Sequence, residues 1–232
     1  MKIGVVLLNM GGPDSVGDVP AYLGNIFRDP AILEMPLGFL VRPWLSRIIV
    51  KKRAGESAAR YARIGGKTPL NAIALSQAEG LREVLASLDV EAVVGPGMRY
   101  WHPFTLETLR GFAGERVEGV VALSMYPHWC RATVGSSLRE FRRAMRRVLP
   151  GVSFAAVECW PELDAYVDFL VERTMEALGT ATAVLFSAHS VPVRVIERGD
   201  PYRAQVEETF QLARARLPEA LRVELGWQSA FG

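Results

Sequence analysis

The chain is predicted to be an α/β protein built on parallel sheets, because short apolar runs alternate with amphipathic helical segments along its 232 residues. Strands are predicted at 2–8, 91–94, 117–123, 152–157, 182–186 and 221–225. The clearest helix is predicted at 162–178, where apolar residues recur at helical spacing behind Pro161. Strands that alternate with helices form βα units, and such units give parallel sheets.

Composition sets the size and the general class of the protein. Half of the residues are hydrophobic, which is enough to bury one or two cores. A Leu-Pro-Gly seam near residue 150 predicts an amino-terminal lobe at 1–150 and a carboxyl-terminal lobe at 151–232, each starting on a strand. A net charge of only +2 gives no electrostatic case for a nucleic-acid partner.

The cysteine content and the short apolar runs are typical of a cytoplasmic protein. Cys130 and Cys159 are too few for a disulfide framework or a zinc knuckle, which suits a reducing cytoplasm. The apolar run after Met1 is too short for a signal peptide and has no cleavage site. No run approaches the roughly 20 apolar residues of a membrane span. We therefore expect a cytoplasmic protein, in contact with a membrane surface at most.

The segment at 183–202 predicts a functional site. A buried strand is predicted for the apolar run at 183–186, and His189 follows at its carboxyl end. In open parallel sheets, ligands bind at that edge. Gly199, Asp200 and Pro201 then suit a tight turn, a helix N-cap and a first helical turn. The alternative is that His189 merely caps the strand end or the next helix.

Several motifs in one order resemble those of ferrochelatases, which insert ferrous iron into a porphyrin. They are LNMGGP at 8–13, YARIGG with Thr-Pro at 61–69, GMRY at 97–100, Tyr-Pro at 126–127, GSS at 135–137, the His189 segment and WQS at 227–229. The resemblance covers essentially the whole chain. It implies two Rossmann-like lobes around a porphyrin cleft, a lyase reaction in heme biosynthesis, and protoporphyrin IX as the substrate that becomes protoheme.

The resemblance also implies roles for individual residues. Porphyrin metallation requires a base for two pyrrole protons and a ligand that partly desolvates the metal, and a neutral imidazole can serve as both. His189 is therefore the expected catalytic residue and metal ligand. For any single tyrosine the alternative is core packing. The implied substrate contacts are Met10, Arg53, Tyr61, Thr68, Arg99, Tyr100 and Tyr126, with Arg53 and Thr68 at the propionates.

Other parts of the family pattern are missing. Some ferrochelatases hold an iron–sulfur cluster, but Arg131 stands at the internal cysteine position, with Cys130 one residue earlier, and the cysteine tail is absent. We expect no cluster and no permanent cofactor, with ferrous iron as a substrate. His102 is expected at a turn or helix start, and no special role is expected for His128.

The sequence stops at 230–232, before the family's opposing glutamate and tryptophan loop. The second lobe is therefore expected to be truncated, with an apolar helix face and a strand edge exposed. Two alternatives to a protoporphyrin enzyme stay open: a catalytically silent porphyrin-binding fragment, and a coproporphyrin III ferrochelatase. The chain is expected to be a monomer or a homodimer.

Residues 37–50 combine aromatic and aliphatic residues with flanking cations at 51–53. Such a helix suits an anionic lipid surface, so peripheral contact at the inner face of the membrane is expected. The alternative is a core helix with a solvated basic end.

Overall fold

A computed structural model describes residues 1–34 and 38–229, and it confirms the α/β class. All six predicted strands are present: β1 Ile3–Asn9, β2 Ala92–Met98, β3 Gly119–Ser124, β4 Ser153–Val157, β5 Ala183–His189 and β6 Arg222–Gln228. The α-helices in the described ranges are α1 Val19–Phe27, α2 Gly38–Arg63, α3 Leu70–Ser87, α4 Thr105–Gly114, α5 Ser136–Val148, α6 Asp164–Leu178, α7 Val193–Glu197 and α8 Tyr202–Arg216.

The chain forms two compact units. The amino-terminal unit consists of Met1–Met125 and Arg131–Glu158, and the carboxyl-terminal unit consists of Tyr126–Cys130 together with the chain from Cys159 onward. The predicted lobe boundary after residue 150 stays a prediction.

The amino-terminal unit contains a four-stranded parallel sheet in the order β2-β1-β3-β4. Strand β1 lies inside this sheet, and alternate side chains of a strand point to opposite faces. Val5 and Leu7 pack against α3 through Ala78. On the other face, Gly4 lies against the Phe112 ring of α4, so close that a Cβ there would sit 2.5 Å from it. Helices thus cover both faces, which explains why β1 is apolar from Ile3 to Leu8.

The carboxyl-terminal unit contains the parallel pair β5–β6. Phe210 and Leu217, from α8 and the residue after it, pack against Val223 of β6 and form a small core. The prediction of a buried strand at 183–186 is wrong for one face, since Leu185 is 65% exposed. Within the described residues, the face that carries Phe186 is covered by α8, and the face that carries Leu185 is exposed. Helix α6 likewise has an exposed apolar face, with Phe169 53% exposed, as the sequence led us to expect.

The predicted helix at 37–50 is the first half of α2, a 26-residue helix. Leu37, where that prediction begins, lies outside the described residues, as do 230–232. Phe39, Leu40 and Trp44 are 73%, 65% and 63% exposed, so this end of α2 is not a core helix. Within the described ranges, no helix is both long enough and apolar enough to cross a membrane.

The turn before α8 differs by one residue from the prediction. Gly199 has a φ of +89°, a conformation that favours glycine, but Pro201 lies at the N-cap and not in the first turn. Asp200 lies one residue before the N-cap, and its carboxylate accepts a hydrogen bond from the Tyr202 amide at 3.0 Å. The prediction of Asp200 as the N-cap is therefore wrong by one residue.

The close approach of β2 to β1 and α4 gives a testable prediction. A Cβ at Gly97 would lie 2.5 Å from Cγ1 of Val6 and 3.4 Å from the Thr105 Cα, so neither neighbouring element can move away easily. We expect Gly97→Ala to destabilise the protein by about 1–3 kcal/mol through overpacking, as measured by urea unfolding. The control is Gly119→Ala, where the nearest atom is at 3.8 Å. Equal unfolding midpoints for the two variants would contradict the packing argument.

Candidate active site

His189 is the last residue of β5 and is solvent-exposed. Its Nδ1 lies 2.7 Å from the carbonyl oxygen of Ser190. A carbonyl only accepts hydrogen bonds, so Nδ1 carries the hydrogen and the neutral ring has its lone pair on Nε2. The Ser190 amide in turn donates to the Gln228 carbonyl of β6, which fixes the backbone that holds the ring. The arrangement presents an open imidazole nitrogen at the carboxyl edge of the sheet.

Aromatic side chains surround the strand ends in the carboxyl-terminal unit. Tyr202 makes edge contacts with Trp227 of β6 and with His128, with ring centroids 6.3 and 6.1 Å apart. Tyr166 contacts both His128 and Trp160. These T-shaped pairs give this unit a rigid aromatic cluster next to the strand that ends at His189.

His128 has a structural role in that cluster. Its Nε2 lies 2.9 Å from the Thr209 hydroxyl, which donates to the Pro161 carbonyl at 2.7 Å. The single hydroxyl hydrogen is thereby used, so His128 Nε2 must be the donor. Burial lowers the pKa of His128 to about 4, and the ring is therefore neutral near neutral pH. His102, in contrast, is exposed and pairs with Glu107 at the start of α4, where a turn or helix start was expected.

In the amino-terminal unit, the loop after β1 presents Met10. Its side chain is half-buried and packs with Tyr22, Tyr100 and Trp101. Its carbonyl accepts a hydrogen bond from the Tyr100 amide at 3.0 Å, which ties the ends of β1 and β2 together. Met10 therefore has one side in the core and one side open at the carboxyl edge of the sheet.

Thr68 lies against the same loop. Its amide donates to the Pro13 carbonyl at 2.9 Å, and a Cβ at Gly12 would lie 2.7 Å from its side chain. Asn71 bonds both backbone groups of Gly12 at 3.2 and 2.8 Å. Gly12 of the first motif and Thr68 of the second thus lie in direct contact, which explains why Gly12 admits no larger residue.

Tyr61 and Arg53 lie on α2, two turns apart. The Tyr22 hydroxyl donates to the Gly11 carbonyl at 3.0 Å and lies beside the Tyr61 hydroxyl. Burial raises the pKa of Tyr61, so the phenol stays protonated. Arg53 is exposed, and its guanidinium carbon is 5.9 Å from the Phe27 ring centroid. Tyr61 therefore approaches the loop after β1, whereas Arg53 points toward solvent beside α1.

Arg99 and Tyr100 are held by Asp29 instead of facing outward. Arg99 Nη2 donates to the Asp29 carboxylate at 2.6 Å, and its Nε donates to Ser136 Oγ at 2.7 Å. The Tyr100 hydroxyl donates to the same carboxylate at 3.0 Å, and Tyr100 is 1% exposed. In this structure the Tyr100 ring offers no free face to a ligand. Tyr126 lies half-buried in the carboxyl-terminal unit, so that unit contains two of the eight predicted residues.

Asp29 has a fully buried side chain and four hydrogen-bond donors. Burial alone would raise its pKa. The hydrogen bonds from Ser136 and the Ala31 amide and the charge of Arg99 outweigh burial, so the pKa of Asp29 lies below its usual value. The group is thus a fixed negative charge at any physiological pH.

Sequence reasoning missed Asp29 and identified Ser136 only as part of a motif. An Asp-Pro pair is typical of a turn, so nothing in the local sequence at 29–30 indicates a buried carboxylate. One signal could have pointed to Asp29. A buried Arg99 needs a counter-charge, and Asp29 is an aspartate for which the sequence analysis gave no role.

The two cysteine side chains pack against other parts of the protein. Cys130 is 3% exposed, and the Cys159 sulfur lies 3.5 Å from the Gln205 amide nitrogen. Among residues 1–34 and 38–229, no group of three or more His, Cys, Asp or Glu side chains is arranged to hold a metal ion. The expectation that no iron–sulfur cluster or permanent cofactor is bound stays a prediction.

The Asp29 network gives a second prediction. Asp29→Asn keeps the shape but leaves the Arg99 guanidinium, which is 19% exposed, without its counter-charge. Breaking a buried pair in this way is strongly destabilising, so we expect a loss of about 3 kcal/mol in urea unfolding. The control, Glu79→Gln, removes an exposed partner of Arg82 and should leave the unfolding midpoint unchanged. An Asp29→Asn midpoint equal to that of the control would refute the network.

Comparison with known proteins identifies the family. The ferrochelatase family model matches residues 2–232. A ferrochelatase of Geobacter metallireducens is 37% identical over 236 residues, which span 100% of this chain and 73% of that protein. A ferrochelatase of Synechocystis is 36% identical, with 100% of this chain and 62% of that protein covered. The chloroplastic ferrochelatase-2 of Arabidopsis thaliana is 38% identical over 93% of this chain and 44% of its own length.

The matches extend along the chain, although the chain spans only 44% to 73% of the lengths of these three relatives. The two parallel sheets fit the partial chelatase fold that the sequence predicted. The family model, the relatives and the fold together show that the chain belongs to the ferrochelatase family.

Proposed function

We propose that the protein inserts ferrous iron into protoporphyrin IX and so makes protoheme, a lyase reaction of heme biosynthesis. The observation that carries this proposal is the open Nε2 of His189 at the carboxyl end of β5. Membership of the ferrochelatase family supports the reaction class.

The chemistry requires that two N–H protons leave the porphyrin as the metal enters. His189 can accept one proton at Nε2, or ligate the incoming ion there, because the Ser190 carbonyl holds the hydrogen on Nδ1. An imidazole nitrogen is a suitable ligand for ferrous iron and can replace one of its waters. The ring's fixed orientation removes the entropic cost of arranging it during the reaction.

The amino-terminal unit is proposed to bind the ring and its carboxylates. The half-buried Met10 and Tyr61 offer apolar and aromatic surface, and Thr68 and Arg53 offer a hydroxyl and a cation for the propionates. Tyr126 is proposed as a further ring contact. Arg99 and Tyr100 are proposed to act through the loop after β1, because the Asp29 carboxylate already engages both side chains.

The His189 role is tested by substitution. His189→Ala is expected to lower the rate of ferrous iron or zinc insertion into protoporphyrin at least about a hundredfold, since it removes the proton acceptor. Porphyrin binding, followed by fluorescence quenching, should change little. The assay is anaerobic, and it follows the absorbance of the metallated ring. His102→Ala is the matched control, because that histidine is exposed and pairs with Glu107 at a helix start.

The outcomes separate the alternatives. An unchanged rate in His189→Ala would refute the catalytic assignment. Porphyrin binding without turnover by the parent chain would identify a catalytically silent porphyrin binder. Faster turnover of coproporphyrin III than of protoporphyrin IX would assign the other substrate.

We propose in addition that the first turns of α2 contact an anionic membrane surface. Phe39 and Trp44 are largely exposed, and Lys51, Lys52 and Arg53 follow on the same helix. Exposed aromatic residues next to a cluster of cations suit the interface of an anionic bilayer, where apolar burial and charge attraction add.

Vesicle co-sedimentation tests this contact. The parent chain should bind vesicles of phosphatidylglycerol and phosphatidylcholine, and binding should fall as salt rises. The double variant Phe39→Ser/Trp44→Ser should lose most of this binding. The control, Leu75→Ser/Val84→Ser, removes two residues of α3 that are 57% and 55% exposed and should still bind. Equal losses in both double variants would count against a specific lipid contact.

A further inference from the structure

A cavity of about 460 Å³ opens in the amino-terminal unit at the carboxyl end of β2, beside Met98 and Arg99. The end of α1, the first turns of α4 and one side of α5 form its walls. Carboxyl ends of parallel strands are where α/β proteins bind small ligands, and the volume lies within the usual range of such sites. Met10, Tyr61, Thr68 and His189 do not line it.

Three arginines line this cavity from three different parts of the chain. Arg28 directly follows α1, Arg110 lies on α4 and Arg143 lies on α5. All three are exposed, and none has a carboxylate partner within 4.0 Å among the residues that the structure describes. Guanidinium groups present rigid forks of donors, which pair best with the oxygens of carboxylates and phosphates.

The acidic residues of the cavity cancel this charge only in part. Asp29 is neutralised by Arg99, and Glu107 is occupied by His102 and the Phe104 amide. Glu140 is the remaining acid of the lining, and it makes no ion pair within the described part of the chain. The lining carries four arginines (Arg28, Arg99, Arg110 and Arg143) and three carboxylates (Asp29, Glu107 and Glu140), so its formal net charge is +1.

We propose that this cavity binds a phosphate group through Arg28, Arg110 and Arg143. The three guanidinium groups without a carboxylate partner attract an anion, and the tetrahedral oxygens of a phosphate point in several directions, as three donor forks from different parts of the chain require. The group can belong to free phosphate or to a phosphate ester such as a lipid headgroup.

Titration calorimetry at low salt tests the site, with inorganic phosphate and glycerol 3-phosphate as the two probes. Both are expected to bind the parent chain, and tighter binding of glycerol 3-phosphate would point to an ester as the natural source. Each of Arg28→Ala, Arg110→Ala and Arg143→Ala should weaken binding about tenfold, the effect of losing one charge-assisted contact. Arg147→Ala, an exposed change on α5 outside the cavity, is the control.

A further variant distinguishes a site from general attraction to a basic surface. Glu140→Gln removes the unpaired negative charge from the lining and should tighten phosphate binding several-fold. The unfolding midpoint of each variant shows that the fold is kept. Failure of both probes to bind the parent chain would overturn the proposal, as would equal weakening by Arg147→Ala. Neither result would affect the test of His189, because that test measures metal insertion.

Discussion

A single buried carboxylate organises the amino-terminal unit. Asp29 follows α1, and it holds the end of β2 through Arg99 and Tyr100 and the start of α5 through Ser136. A buried charge is tolerated only when its partners are complete, so these three parts of the chain must reach their positions together. The loop after β1 depends on the same arrangement, because Met10 packs on Tyr100. The proposed porphyrin contact of Met10 therefore rests on this network.

The motifs that identify the family have local physical reasons in this structure. Gly12 is required because the Thr68 side chain lies where a Cβ of residue 12 would be. Gly97 is required because the Val6 side chain lies where a Cβ of residue 97 would be. Gly199 supplies the positive φ of the turn before α8. Glycines at these places let loops and helices approach the carboxyl edge of a sheet closely. The carboxyl edge of the four-stranded sheet displays Met10, and the carboxyl edge of the β5–β6 pair displays His189.

Much of the fold could be predicted from the sequence, because hydrophobic periodicity encodes strands and helices directly. Burial could not be predicted so well. The run at 183–186 looks the same whether one face or two are covered, and only the structure shows Leu185 exposed. Asp29 was missed because counter-charges are set by tertiary contacts seventy residues apart, which no local pattern records. The orientation of the His189 ring was likewise invisible, since it depends on one backbone carbonyl.

The bond from His189 Nδ1 to the Ser190 carbonyl determines which nitrogen of the ring takes up a proton. With Nδ1 already protonated, the imidazole has room for one additional proton, on Nε2. In the proposed reaction a porphyrin releases two, so the ring would have to pass the first proton on before it could take the second. Its exposure to solvent provides a direct route, because water can remove the first proton without a relay of side chains. The reaction would then proceed as two successive deprotonations through one nitrogen.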